Sequence, residues 1–248
     1  MIVAEHLSKR FGEHQVLDDV SVRFERGKTN LIIGTSGSGK TVLMKCLVGL
    51  IKPDNGTIEY DGRPFSESAP QVIGEIRREI GMLFQGSALF DSMTVEENVI
   101  FPLSMFTKLS RDEKLERANF CLQRVNLENV NKLYPSELSG GMKKRVAIAR
   151  AISINPKYLF CDEPNSGLDP VTSNVIDKLI SEITREYKIT TVVNTHDMNS
   201  VMEIGDKVCF LYQGRLWWEG SREDIFNSDT KELNNFVFAS QLAKQLKH

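Results

Sequence analysis

The stretch that decides the fold reads Gly34-Thr35-Ser36-Gly37-Ser38-Gly39-Lys40-Thr41, which matches the pattern G-x-x-x-x-G-K-[ST]. The apolar run Thr29–Ile33 precedes it, and residues 41–50 after it are typical of a buried helix. A glycine-rich turn between a strand and a helix N-terminus presents backbone N–H groups to phosphate oxygens. In this pattern the lysine neutralises the β- and γ-phosphates and the final hydroxyl ligates Mg²⁺. The stretch therefore predicts a nucleotide site formed by all eight residues, with ATP and Mg²⁺ as its occupants.

A second apolar run, residues 158–161, ends in two adjacent acids, Asp162 and Glu163. Asp162 is placed to hold Mg²⁺, and Glu163 follows where a general base for an attacking water is needed. The alternative is that the pair only caps a helix at the end of a strand. Lys40 and Asp162 lie too far apart in the chain for a compact switch GTPase.

The stretch between these two motifs has the character of helices. Thr94 with Glu97, and Ser110 with Glu113, have the spacing of capping boxes. After Pro156 the alternation of strand and helix returns, which predicts a parallel sheet with right-handed crossovers. We therefore expect an α/β core interrupted by a helical insertion.

A serine and two glycines, Ser139-Gly140-Gly141, precede a helix that runs to about Ile154. At a helix N-terminus they form a second candidate anion-binding site. Taken alone, they would be explained by helix capping. With the phosphate loop before them and Asp162-Glu163 after them, the chain resembles the ATP-binding cassette (ABC) ATPases from about Ile2 to Phe226. Residues 138–142 then occupy the signature motif of that family.

Four further positions match motifs of the same family, namely Gln85 in the Q-loop, Ser166–Asp169 in the D-loop, His196 as the switch histidine and Phe11 as the aromatic that stacks on adenine. Phe11 also has an alternative interpretation as a core residue. The sequence departs from the family pattern twice, with Asn165 where threonine is usual and Thr35 where proline is usual. Both positions accept small or polar residues, so neither departure argues against activity.

The resemblance implies how the site works. Two copies pair head to tail, so that each ATP lies between the phosphate loop of one copy and Ser139-Gly140-Gly141 of the other. It also assigns roles to four residues. Glu163 polarises the attacking water, and His196 holds the γ-phosphate and that water. Gln85 touches Mg²⁺ and relays contact to a membrane partner, and Asp169 bridges the two copies.

The resemblance also implies the fold class. It is a P-loop NTPase of the RecA-like type, with an N-terminal antiparallel β subdomain and an inserted α-helical subdomain. We expect one domain over residues 1–228, made of a core (1–86 and 157–228) and a helical subdomain (87–156). A helical tail follows at 229–248. Its apolar residues are Leu233, Phe236, Val237, Leu242 and Leu246, which either pack on their own subunit or contact another protein.

Composition limits the partners and the compartment. The formal charge of −2 over 248 residues lacks the basic excess that a sequence-independent nucleic-acid binder needs, so we expect no nucleic acid partner. The four cysteines form no CxxC pair, which disfavours a zinc site and a disulfide framework. Charge within the first six residues and the lack of an apolar run of about 20 residues lead us to expect neither a signal peptide nor a membrane-spanning helix. We expect a cytoplasmic homodimer bound peripherally to the inner membrane through an integral membrane permease.

Two surface interpretations accompany this picture. The basic residues Lys143, Lys144, Arg145 and Arg150 are interpreted as a solvated helix face rather than a site for phosphates or lipid headgroups. Leu89 and Phe90 are apolar residues in a loop, which predicts a surface for the permease.

The cargo is predicted by a finer resemblance. Residues 82–95, 97–99 and 101–103, with Met142 directly after Gly141, resemble the ATPases of Mla/Mce-type phospholipid-trafficking systems. That resemblance implies phospholipid as cargo and an MCE-domain lipid-binding protein as a further partner. The alternative is an amino-acid importer, for example of methionine. A non-transport ABC ATPase ranks third, because neither a long coiled-coil insert nor a second cassette is present.

Overall fold

The computed structural model describes residues 1–66 and 68–245, with side chains through residue 238. The strands in this part of the chain are β1 (Ile2–Phe11), β2 (His14–Phe24), β3 (Thr29–Ile33), β4 (Asn55–Tyr60), β5 (Arg63–Pro64), β6 (Ile80–Leu83), β7 (Tyr158–Asp162), β8 (Thr190–Thr195), β9 (Lys207–Tyr212) and β10 (Arg215–Gly220). The helices are α1 (Lys40–Leu47), α2 (Pro70–Arg78), α3 (Val95–Phe106), α4 (Arg111–Arg124), α5 (Gly140–Ile152), α6 (Pro170–Tyr187), α7 (Met198–Ile204) and α8 (Lys231–Gln245).

The smaller sheet is antiparallel and has the strand order β2-β1-β4-β5. On β2, Val20, Val22 and Phe24 are buried and the residues between them are exposed, because successive side chains of a strand point to opposite faces. This buried face shares one apolar cluster with α1 and with one face of the larger sheet, including Phe160 and Leu211.

The larger sheet has the order β10-β9-β3-β8-β7-β6 and is parallel from β9 to β6, with β10 antiparallel at one edge. Its other face packs on helices α3 to α6 in a second apolar cluster. Since β3, β7 and β8 are parallel neighbours, the segments that follow them meet at one edge of the sheet. The phosphate loop, Glu163 and His196 all come from these segments. The predicted α/β class, with an antiparallel β subdomain and a helical insertion, is confirmed.

Both capping boxes are present, with Thr94 capping α3 and Ser110 capping α4. Helix α2 was not predicted, because it is only nine residues long and contains Gly74, which lowers helix propensity. Among the described residues, no helix is both long enough and apolar enough to cross a bilayer.

The tail helix α8 packs on its own chain through Leu233 and Val237, which are buried. The ring centroid of Phe236 lies 5.6 Å from that of Phe210 on β9. Leu246 and the Leu242 side chain fall outside the described residues.

Candidate functional site

The phosphate loop wraps the N-terminus of α1 in a backbone shape that only glycine allows. Gly34 has a φ of 151°, and a Cβ atom there would lie 2.2 Å from the carbonyl oxygen of Leu211. Gly39, before α1, has a φ of 104°, and no side chain caps the helix. The hydroxyl of Ser38 is buried and has no hydrogen-bond partner among the described residues. Free N–H groups and an unsatisfied hydroxyl at a helix N-terminus suit a phosphate group.

Lys40 lies beneath this loop and is only 7% exposed. Its Nζ atom donates to the carbonyl oxygens of Gly34 at 2.8 Å and Thr35 at 3.0 Å. Burial lowers the pKa of Lys40, while the negative charges of Glu163 and Asp162 act in the opposite direction. The ammonium group is therefore held among carboxylates and loop carbonyls, at the place where phosphate charge has to be neutralised.

The predicted metal-binding residues meet at the start of α1. The Thr41 hydroxyl donates to Oδ1 of Asp162 at 3.4 Å, and Nδ2 of Asn194 donates to the same oxygen at 3.0 Å. Asn194 was missed in the sequence; its signal was a lone amide at the end of an apolar strand. The described residues hold no cluster of three or more His, Cys, Asp or Glu that would bind a metal unaided. One carboxylate and one hydroxyl fit Mg²⁺ that is bound jointly with phosphates.

Glu163 and His196 are in direct contact. Nδ1 of His196 lies 2.9 Å from Oε2 and 3.0 Å from Oε1 of Glu163. The contact follows from the sheet, because Asp162 pairs with Asn194 in adjacent strands. Glu163 has a φ of 47°, which is uncommon for a residue with a side chain and typical of functional sites. The two side chains face a cleft of about 950 Å³.

Gln85 lies in the loop after β6, and its Nε2 atom donates to the Ser166 hydroxyl at 3.2 Å. Lys144 binds the carbonyl oxygen of Gln85, and Arg150 donates to those of Ser87 at 2.8 Å and Ala88 at 2.7 Å. Both cations are buried, so the prediction of a solvated basic face is wrong for these two residues. They supply donors for loop carbonyls that no strand or helix satisfies.

Ser139 caps α5, where its Oγ accepts from the N–H of Met142 at 3.2 Å, and it is exposed. A Cβ atom at Gly141 would lie 2.6 Å from the Thr172 side chain, so this glycine allows α5 to approach α6. Among the described residues, no hydrogen bond or ion pair joins Ser139-Gly140-Gly141 to the phosphate loop.

Asp169 and Phe11 are the remaining two predicted site residues, and both lie at the end of a secondary-structure element. Asp169 caps α6 by accepting from the N–H groups of Val171 and Thr172, each at 3.0 Å. Phe11 ends β1 and is 48% exposed, with Nζ of Lys9 at 5.5 Å from its ring centroid. The ring is thus open to solvent and not part of the core, which leaves the expectation of stacking in place.

The chain is similar to a known protein family and to several named relatives. The family model described as "ABC transporter" matches residues 17–166. The methionine import ATP-binding protein MetN of Carboxydothermus hydrogenoformans is 39% identical, over 99% of this chain and 75% of its own length. The probable ribonucleotide transport ATP-binding protein mkl of Mycobacterium leprae is 36% identical, over 95% of this chain and 68% of its own length. For mkl of Mycobacterium tuberculosis H37Rv, the chain spans 64% of the relative's length.

Solved structures of similar fold are also cassettes. CbiO1 of Clostridium perfringens, part of the ABC transporter complex CbiONQ, superposes with a TM-score of 0.83 at 30% identity, covering 100% of this chain and 98% of that one. A dimeric ATP-binding cassette in a post-hydrolysis state bound to ADP and Pi has a TM-score of 0.82 at 32% identity, covering 90% of this chain and 99% of that one.

Proposed function

This chain belongs to the ABC transporter family of ATP-binding proteins, and we therefore propose that it hydrolyses ATP as one of two copies that drive a separate membrane permease. The observation that carries the proposal is the meeting of Lys40, Asp162 and the Glu163–His196 pair at one edge of the sheet. A cation, a metal-binding carboxylate and a general base are the groups that hydrolysis of a nucleotide phosphate requires.

In the proposed reaction Glu163 accepts the proton of the attacking water, and His196 holds the Glu163 carboxylate through its Nδ1 atom. In the imidazolium form both ring nitrogens of His196 carry a proton, so Nδ1 donates to Glu163 while Nε2 donates to the γ-phosphate. Lys40 provides positive charge to the β- and γ-phosphates. Mg²⁺, when bound by Thr41 and Asp162, adds positive charge at the phosphate oxygens.

The test is Glu163→Gln, which keeps the size of the side chain and removes the basic carboxylate. We expect steady-state hydrolysis of Mg²⁺-ATP to fall about 100-fold or more, with nucleotide affinity retained. Glu116→Gln, at an exposed position on α4, is the matched control and should hydrolyse ATP normally. Undiminished hydrolysis by Glu163→Gln would contradict the assignment.

We assign permease binding to an apolar groove of about 400 Å³ between the loop after β6 and α3. Phe90 (41% exposed) and Phe106 (49% exposed) lie along it, and exposed aromatic residues that cluster in this way mark an interaction surface. Leu89 is partly buried against the core and does not line this groove, so the proposal keeps Phe90 and leaves Leu89 out. The occupant proposed for the groove is a cytoplasmic helix of the permease, which would place this chain on the cytoplasmic face of the inner membrane.

The groove is tested by co-purification with the permease. The double variant Phe90→Asp, Phe106→Asp should lose the permease and keep nucleotide binding. Phe120→Asp, which changes an exposed phenylalanine on α4, should retain the permease. Parallel loss of nucleotide binding would show instead that the two groove residues belong to the core.

The proposed cargo is a small polar metabolite, with methionine as the first candidate. The support is the name of MetN, a relative that is 39% identical over 99% of this chain. The name of mkl concerns ribonucleotides, and neither name supports phospholipid. Phospholipid cargo, with an MCE-domain partner, is the second candidate and rests on the resemblance of residues 82–103 and Met142 alone.

Mass spectrometry of the complex purified with its permease separates these candidates. Bound methionine, together with hydrolysis that methionine stimulates, would support the importer. Bound phospholipid and a co-purified MCE-domain protein would establish the second candidate and contradict the first. Co-purification with ribosomes or DNA, and with no polytopic membrane protein, would contradict both.

A further inference from the structure

Asn165 lies in the turn that follows Glu163, and its side chain reaches out of that turn. Its Nδ2 atom donates to the Ser200 hydroxyl at 3.0 Å. Ser200 is buried in α7, the helix that begins two residues after His196. One hydrogen bond therefore links the turn that carries Glu163 to the helix that follows His196.

A buried carboxylate, that of Asp177, interacts with both partners of this hydrogen bond. Asp177, in the middle of α6, is 1% exposed. Burial raises the pKa of Asp177 to about 6, while interactions with Ser200 and Asn165 act in the opposite direction. The charged groups that face it are Asp197, before α7, and Glu203, on α7; both are acids and raise its pKa further. Among the described residues, the groups that lower the pKa of Asp177 are therefore two neutral side chains rather than cations.

Two oxygen atoms in this cluster carry no hydrogen bond among the described residues. They are Oδ1 of Asp177 and Oδ1 of Asn165, and both are buried. A buried carboxylate without a counter-ion and an amide oxygen without a donor each destabilise the fold. A neutral residue at position 177 would remove the cost of burying this charge. The carboxylate is therefore not explained by a contribution to the free energy of unfolding.

The adjacent backbone supplies an explanation. Glu163 lies in the left-handed region, with a φ of 47°, and such a conformation persists only where the surroundings hold it. The N–H of Glu163 donates to the carbonyl oxygen of Asn194, which fixes the start of the turn. Asn165 provides a side-chain anchor two residues later, through its hydrogen bond to Ser200 in α7.

We propose that Asp177, Asn165 and Ser200 form a positioning cluster, which holds Glu163 and His196 in the relative placement that water activation requires. None of the three touches the reacting atoms; they act through the turn and the helix. The inference rests on the roles of Glu163 and His196 in the proposed function, and it adds the residues that set their geometry. In this chain the link uses Asn165, at the position where the family usually has threonine.

The first test is Asp177→Asn, which keeps the shape of the side chain and removes its charge. At pH 7.5 we expect kcat for ATP hydrolysis to fall about tenfold, because small misplacements of catalytic groups have effects of this size or larger. The KM for ATP should stay within about twofold, and the melting temperature should rise. Thr184→Val, a buried polar position on the same helix, is the control and should lower the melting temperature with kcat unchanged.

The second test is a double-mutant cycle with Asn165→Ala and Ser200→Ala. Each single variant should lower kcat about tenfold, and the double variant should lose little more, because the two residues act as one link. The double-mutant cycle tests the link between Asn165 and Ser200 even if Asp177→Asn does not fold. Asp177→Asn with kcat within about twofold of the unmodified protein, or additive losses in the cycle, would overturn the proposal.

Glu163→Gln in the same assay separates this inference from the proposed function. Normal hydrolysis by Glu163→Gln means that the catalytic assignment itself is wrong. An inactive Glu163→Gln combined with fully active cluster variants means that the assignment stands and the positioning cluster is wrong.

Discussion

At the residue scale, charge is placed where the phosphates are expected. Lys40 is buried beneath its own loop and satisfied by the carbonyl oxygens of Gly34 and Thr35. An ammonium group has three N–H donors, so two can bind these carbonyl oxygens while the third reaches an anion. The lysine is therefore already ordered before nucleotide binds, which reduces the entropy cost of binding.

Replacing Lys40 by methionine should separate charge from packing. Lys40→Met keeps an apolar stem in the buried space and removes the ammonium group. ATP hydrolysis should fall about 100-fold or more, because a preorganised charge at the transferring phosphate is lost. Circular dichroism should show a folded protein. The exposed Lys52→Met is the control, and hydrolysis at the normal rate in Lys40→Met would exclude the phosphate-binding role.

The pH dependence of stability should reveal Asp177. Its pKa is raised from 3.8 to about 6 in the folded protein, so the folded state binds this proton more tightly than the unfolded state. The stability that the protonated form provides is complete below about pH 4 and is lost as the pH rises through 6. At pH 7.5 the loss is about 3 kcal/mol. Asp177→Asn should therefore be more stable by up to that amount at pH 7.5.

Urea unfolding between pH 4.5 and 8 measures this effect. The stability gain of Asp177→Asn over the unmodified protein should shrink as the pH falls. A gain that is the same at every pH would show that Asp177 does not titrate in this range.

At the scale of elements, α5 positions more than its N-terminal serine. Its buried Lys144 and Arg150 bind the carbonyl oxygens of three residues in the loop after β6, namely Gln85, Ser87 and Ala88. The same loop borders the groove assigned to the permease. Helix α5 therefore connects the signature segment, the Gln85 loop and the groove in one packed unit.

Arg150→Met should test how strongly α5 holds that loop. The variant leaves the carbonyl oxygens of Ser87 and Ala88 without donors, and each buried unsatisfied group costs about 1–3 kcal/mol. We expect a loss of about 2–4 kcal/mol in the free energy of unfolding, measured by urea titration. Arg145→Met is the matched control, since Arg145 makes one hydrogen bond of 3.1 Å to Asn126, and should lose about 1 kcal/mol or less. Equal losses in the two variants would contradict this role for Arg150.

At the scale of the whole molecule, the phosphate loop and Ser139-Gly140-Gly141 share no hydrogen bond or ion pair among the described residues. The phosphate loop lies at the carboxyl edge of the sheet, and Ser139 caps α5 beside the D-loop, where Leu168 borders Gly140. A second copy, placed head to tail, would complete both sites at once, which is the symmetry of a closed dimer. Bound ATP would then act as part of the interface.

Dimerisation should therefore depend on ATP when hydrolysis is blocked. Glu163→Gln should be monomeric without nucleotide and dimeric with Mg²⁺-ATP, because a ligand that binds only the paired state shifts the equilibrium towards it. Adding Ser139→Arg should abolish that dimer while each copy still binds nucleotide. Size-exclusion chromatography with light scattering gives the masses. Adding Ser104→Arg, at an exposed serine of α3, is the control and should leave the dimer intact. A dimer that ignores both ATP and Ser139→Arg would rule out a shared site.

Local chemistry explains why so much of the architecture was predictable. Thr94 with Glu97 and Ser110 with Glu113 cap their helices as expected, since capping depends on residues three positions apart. Val20, Val22 and Phe24 lie on one face of β2 because the strand period is two. The nine-residue α2 was missed, because a short helix that contains a glycine carries little signal in the sequence.

The sequence by itself determined the chemistry of the phosphate loop, the order of its motifs and the α/β class, because these depend on residue type and on short spacings. Only the tertiary structure decided that Lys144 and Arg150 are buried and that Asn194 donates to Asp162. It also decided that Asn165 donates to Ser200 and that both interact with Asp177. Each of these contacts joins segments far apart in the chain. Their partners are fixed by the order of strands in the sheet and by the packing of helices on it, which no local pattern encodes.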